Sequence, residues 1–116
     1  MKIAIIGSQG LIGKSIKKNL IKKFNVISVD REISKNLKSY IRQDLSKKIN
    51  INKFVGKEAK VAVLLAFYKS QPKDFSNTNN KIFFNQNNKI LKNFLKICKI
   101  LKVKKLIYFS SPAVYQ

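Results

Sequence analysis

MKIAIIGSQGLIGKSIKKNL, residues 1–20, decides the fold. Lys2 to Ile6 is a short apolar run of strand length that stops at Gly7, and glycines follow at positions 10 and 13 before a helical pattern takes over. The arrangement is G-x-x-G-x-x-G between strand and helix, and each glycine has a mechanical use. Gly7 lets the strand turn sharply, Gly10 removes a side chain so that a phosphate can approach the backbone, and Gly13 lets the helix pack closely on the sheet. Free amides of the first helical turn, at the positive end of the helix dipole, then face an anion. A pyrophosphate is expected over Gly10, Leu11 and Ile12. Ile12, Ile16, Leu20 and Phe24 fall on one helical stripe, with Lys14, Lys17, Lys18 and Lys22 over the remainder, which is the pattern of a helix covering a sheet. A glycine triplet also occurs as a bare structural turn; the order strand, turn, helix favours a dinucleotide site.

The 116 residues suit one small domain. No segment has the charged start, apolar centre and cleavage site of a secretory signal, and no apolar run is long enough for a bilayer, so a soluble, cytoplasmic protein is expected. Cys98 has no second cysteine to pair with and lies in a helical pattern with Phe94, Leu95 and Leu101, where it reads as a small core residue. The formal charge of +20, from 25 basic and 5 acidic residues, ordinarily points to nucleic acid or an anionic membrane. Here the only arginines are Arg31 and Arg42, and the lysines are spread along a chain also rich in isoleucine and asparagine, all residues with adenine- and thymine-rich codons. Readers of nucleic acid favour arginine and concentrate charge on one element. No specific nucleic acid, membrane or metal is therefore expected as a partner, although polyanions should attract the chain at low salt.

Asn25 to Val29 reads as a second strand stopping at Asp30. A dinucleotide site asks for an acid about 20 positions beyond the glycine turn, where it accepts hydrogen bonds from the adenosine ribose. Asp30 fits that place, and its charge favours NAD over NADP, although the adjacent Arg31 could meet a 2′-phosphate. Asp30 could also simply begin a solvated turn. Tyr40 to Arg42 suits a short third strand, followed by a weak helix from about Ser46 to Phe54. Asp44 has two readings, a partner for the adenine amino group or the N-cap of that helix. Lys60 to Ala66 is a continuous apolar strand of the type buried on both faces of a parallel sheet. Residues 71–81 are polar and undetermined. Ile82 to Lys102 predicts the strongest helix, with Ile90, Leu91, Phe94, Leu95, Cys98 and Leu101 on its buried side. Val103 to Phe109 reads as a fifth strand. Strands alternating with helical patterns predict an α/β fold, a Rossmann-type doubly wound parallel sheet in strand order 3-2-1-4-5.

Several separate blocks agree with one family. Gly7-Ser8-Gln9-Gly10-Leu11-Ile12-Gly13, Asp30, Asp44-Leu45, Leu65-Ala66 and Ser110-Ser111-Pro112-Ala113-Val114-Tyr115 together resemble the N-terminal part of an extended short-chain dehydrogenase/reductase, the group of NAD-dependent nucleotide-sugar epimerases and dehydratases. The resemblance implies that Gly7, Gly10, Leu11 and Ile12 hold the pyrophosphate in a cofactor site that Gly13 completes, Asp30 the ribose, and Asp44 with Leu45 the adenine. It also implies that Leu65, Ala66 and Lys69 line the nicotinamide half. Asn87 falls where the family has an asparagine near the nicotinamide, although Asn88-Lys89-Ile90 departs from the usual neighbours. Ser111 corresponds to the serine that hydrogen-bonds the sugar oxygen as hydride moves.

The family's proton-transfer pair is Tyr-x-x-x-Lys, and these residues contain none: four positions after Tyr40, Tyr68 and Tyr108 stand Asp44, Pro72 and Pro112. The resemblance therefore implies an NAD-binding fragment that does not catalyse alone, with a nucleotide-sugar substrate only if the rest of the fold is supplied. A non-catalytic NAD-binding module, or half of a split protein, is the alternative, and a basic nucleic-acid-associated protein is a weaker one. The fifth strand should leave the sheet incomplete at its C-terminal edge, with an exposed apolar border open to self-association.

Overall fold

The computed structural model describes residues 1–32, 39–66 and 77–109. Five strands, β1 (Lys2–Ile6), β2 (Asn25–Asp30), β3 (Tyr40–Arg42), β4 (Val61–Leu64) and β5 (Lys105–Tyr108), form one sheet in the order β3-β2-β1-β4-β5. Every neighbouring pair is parallel, with β1 at the centre: Ile5 stands beside Ser28 on one side and Val63 on the other. The expected strand order holds.

Helix α1 (Leu11–Leu20) covers one face of this sheet and α2 (Asn77–Ile100) the other. Alternation along β1 divides the core between them. Ile3 and Ile5, with Val63 of β4, pack towards Ile16, Leu20 and Phe24, whereas Ala4 and Ile6 join Ile90, Phe94, Ile97, Cys98 and Leu101. Burial of both faces explains why β1 and β4 read as unbroken apolar runs. Ile12, expected on the buried stripe of α1, is 56% exposed. Gly13 is the buried residue of α1 and lies directly on the backbone of Gly7 and Ser8, so Ile12 is turned to solvent.

Several boundaries differ from the expected ones, β4 among them, which is confined to Val61–Leu64. The helix expected over Ser46 to Phe54 is absent, and a single 3-10 turn at Ile51–Lys53 takes its place, capped by the Asn50 side chain on the Asn52 amide. Helix α2 begins at Asn77, before the apolar periodicity starts, and stops at Ile100. β5 opens at Lys105 because Val103 closes the end of α2. The Val103 amide bonds the Cys98 carbonyl at 2.9 Å and the Lys102 amide bonds the Lys99 carbonyl at 3.3 Å, with Lys102 left-handed at φ 57°. This is a Schellman ending with lysine where glycine is the usual occupant. Lys102→Gly should raise stability by about 0.5–1 kcal/mol, because the relieved left-handed strain exceeds the added freedom of the unfolded chain. The Lys102–Glu58 pair lost with it is 3.7 Å long and exposed at both ends, so it contributes little. A denaturant midpoint that falls would refute this reading.

At the other border, all four residues of β5 are exposed, and Leu106, Ile107, Tyr108 and Phe109 present apolar surface to solvent. No helix among the described residues is long and apolar enough to cross a membrane.

Candidate functional site

The site is built where β1 and β2 end. Past Ile6, the Gly7 amide donates to the Val29 carbonyl at 2.7 Å, and Gly7 turns with φ 93°, a conformation that excludes most side chains. A Cβ here would also stand 2.7 Å from the Ala66 nitrogen, so the glycine turn lies against the end of β4. Leu65 and Ala66 are thereby brought to the turn, with the Leu65 amide on the Ile6 carbonyl at 2.7 Å. At Gly13 a Cβ would stand 2.3 Å from the Gly7 carbonyl oxygen, inside any permissible contact.

Gly10 differs from both. Its φ of −69° suits any residue, and an added Cβ would meet only the Gly7 oxygen at 3.6 Å, an ordinary contact. The fold itself does not require glycine there; a ligand approaching the backbone would. Gly10 is also the N-cap of α1 and supplies no side-chain bond, and the first turn holds no acidic residue. Leu11 is 91% exposed. The first-turn amides are thus open, with no acidic residue of the helix's own first turn on them, and this donor set suits a phosphate.

Asp30, the last residue of β2, reaches this turn. Its Oδ2 accepts from the Gln9 amide at 2.8 Å and its Oδ1 from the Glu32 amide at 3.2 Å. A carboxylate offers about four acceptor positions, so roughly two remain, the number that a ribose diol needs. The Tyr40 hydroxyl donates to the carbonyls of Asp30, at 3.4 Å, and of Glu32, tying down the turn behind the acid. Burial, then the charges of Asp30 and Glu32, raises the Tyr40 pKa and so favours the protonated, donating phenol further.

The next segment begins as the Gln43 amide extends the β2–β3 ladder to the Asp30 carbonyl at 2.8 Å. Asp44 Oδ1 accepts from the Ser46 amide at 2.9 Å and the Ser46 hydroxyl at 2.6 Å, a local turn and not the cap of an α-helix. Burial opposes its charge, but the Ser46 bonds, with Arg31 and Lys47 nearby, hold the carboxyl below its usual range. Leu45 sends its side chain into the α2 core, so only its backbone is available to a base. Arg31, Glu32, Arg42, Asp44, Lys47 and Lys53 border an open depression of about 510 Å³.

Gly7, Gly10, Leu11, Ile12, Gly13, Asp30, Leu65 and Ala66 thus gather around one turn, and Asp44 and Leu45 stand on the neighbouring strand end. Asn87 is half-buried on α2. Lys69 and Ser111 lie outside the described residues. Sequence reasoning passed over Tyr40, Gln43 and Asn93. Asn93, on α2, donates from Nδ2 to the carbonyls of Leu45 at 2.6 Å and Lys47 at 3.0 Å. In a chain so rich in asparagine, nothing local marks this one out.

Residues 3–116 match the family model described as "NAD dependent epimerase/dehydratase family". No curated protein matches the chain. Among solved structures, the chain is similar to a short-chain dehydrogenase/reductase superfamily protein from Agrobacterium tumefaciens with bound NAD: identity is 18%, TM-score 0.76, and the match covers 99% of this chain and 34% of that one. MoeE5 in complex with UDP-glucose and NAD shares 19% identity with TM-score 0.76, covering 100% of this chain and 38% of that one. UDP-N-acetylglucosamine 4-epimerase from Bacillus cereus shares 18% identity with TM-score 0.67, covering 97% and 41%. The chain therefore spans between about a third and two fifths of the length of these structures.

Proposed function

Because the chain belongs to the NAD dependent epimerase/dehydratase family, we propose that residues 1–116 hold NAD for an oxidoreductase acting on a nucleotide sugar. One observation carries this reading: the Asp30 carboxylate lies 2.8 Å from the Gln9 amide, inside a glycine turn whose following helix starts with open amides. In this reading the diphosphate rests on the backbone of Gly10, Leu11 and Ile12, and Gly7 and Gly13 shape the turn. Asp30 takes the ribose hydroxyls. A 2′-phosphate would meet its negative charge, so NAD is preferred to NADP despite Arg31. Asp44, with the backbone of Leu45, faces the adenine, and Leu65, Ala66, Lys69 and Asn87 line the nicotinamide end. When bound, NAD accepts and returns a hydride, and Ser111 bonds the sugar oxygen that changes order.

These residues contain no Tyr-x-x-x-Lys, so the reading gives them cofactor binding and not the main proton transfer. A module that binds NAD without chemistry rests on the same fact. The similar structure of MoeE5, solved with UDP-glucose and with UDP-glucuronic acid, supports a nucleotide sugar as substrate. The exposed apolar edge of β5 supports self-association there.

Calorimetric titration tests the central claim. The chain should bind NAD with a dissociation constant in the micromolar range and NADP more weakly, while UDP-glucose alone gives no signal. Equal dissociation constants for NAD and NADP would remove Asp30 from its role. No binding of either would sink the whole reading.

A further inference from the structure

We propose that Asn93 is a positioning residue for base recognition: from the opposite helix it holds the segment after β3 so that Asp44 meets the exocyclic amino group of adenine. This rests on reading Asp44 as the adenine partner. The segment between β3 and the 3-10 turn has no regular helix or strand to fix its carbonyls, and beyond the Lys47 amide on the Asp44 carbonyl at 3.1 Å it is side chains that hold them. Asn93 uses both hydrogens of Nδ2, one on the Leu45 carbonyl at 2.6 Å and one on the Lys47 carbonyl at 3.0 Å. Those two carbonyls flank Ser46, the residue that orients Asp44.

The rest of the arrangement is consistent with one aimed oxygen. Ser46 occupies Asp44 Oδ1 through its amide and hydroxyl, and among the described residues no bond engages Oδ2. An amino group is a donor, and Oδ2 is an acceptor without one. Gln43 braces the same segment from within, donating to the Asp44 carbonyl at 3.0 Å and the Lys48 carbonyl at 3.3 Å, with its Oε1 on the Asn50 amide at 3.0 Å. Gln43 is a sequence neighbour of what it braces. Asn93 is 48 residues from Leu45, and its bonds tie the segment to α2.

Two dinucleotides separate positioning from general stability: NAD, and nicotinamide hypoxanthine dinucleotide, in which a carbonyl replaces the amino group. Wild type should bind NAD about tenfold tighter, the worth of one charge-assisted hydrogen bond. Asn93→Ala should lower that preference to about twofold or less, with the affinity for the hypoxanthine form nearly unchanged. A part that is only structural would lower the melting temperature and leave the preference intact, and that result overturns the proposal. If Asn93→Ala does not fold, Asn93→Ser, too short to span both carbonyls, is measured in the same way. Asp44→Ala isolates the underlying reading. If wild type has no preference, or Asp44→Ala keeps it, that reading and the proposal fall together. If Asp44→Ala loses it and Asn93→Ala keeps it, only the proposal falls.

Discussion

Gly13→Ala should cost about 3 kcal/mol of folding stability, although alanine is the better helix former by about 1 kcal/mol. Propensity and packing give opposite signs here, and the distance decides between them. The new Cβ would stand 2.3 Å from the Gly7 oxygen and 2.9 Å from two Ser8 backbone atoms. Backbone cannot swing aside as a flexible side chain would, so α1 must lift from the sheet and uncover Ile16 and Leu20. Gly10→Ala is the control from the same motif. Its Cβ lands in ordinary contact at 3.6 Å, so stability should change by under about 0.5 kcal/mol while NAD affinity falls by about tenfold or more. Urea denaturation of both variants, followed by calorimetry on Gly10→Ala, checks the pair. Equal stability losses would mean that the turn is tight throughout and leaves no place for a phosphate.

Asp30→Ala carries the largest expected effect on binding. Two ribose hydroxyls donating to a carboxylate are together worth about 3 kcal/mol or more, so NAD affinity should drop by about a hundredfold. ADP, which has the same ribose, should lose affinity by a similar factor, whereas nicotinamide mononucleotide should be indifferent. The free chain also loses the 2.8 Å bond that holds Gln9. Asp30→Asn keeps an acceptor for that amide and so separates a loosened turn from a lost ribose contact. If ADP and NAD bind Asp30→Ala as they bind wild type, the acid is a turn residue and nothing more.

These variants test the part of the molecule that its sequence states most openly. β1, the glycine turn and α1 are adjacent in the chain, so their geometry is local and their spacing reveals it. Strand order followed from the handedness of crossovers, which leaves little choice once strands and helices alternate. Asp30 was legible for the same reason, being a strand end at a fixed remove from the turn. The segment from Ser46 to Phe54 was misleading. Leu45, Ile49 and Phe54 are all buried, but only the four-residue step from Leu45 to Ile49 suits a helix, and the carbonyls of this segment are bonded by Gln43 and by Asn93 on α2. A backbone satisfied from 48 positions away has no periodicity of its own to read. Ile12 failed differently: periodicity placed it on the right stripe, but contact at Gly13 is so close that the first turn has no gap to fill. The start of α2 at Asn77 was hidden because its opening residues carry no apolar rhythm.

Cys98 sits 6% exposed between α2 and the sheet, and burial pushes its thiol up to about 11. A nucleophile that is both walled in and protonated reacts only during the moments when α2 lifts away. The molecule therefore contains a chemical clock for its own opening: the pace at which a maleimide captures this single thiol measures how often the helix parts from the strands, with no engineered probe.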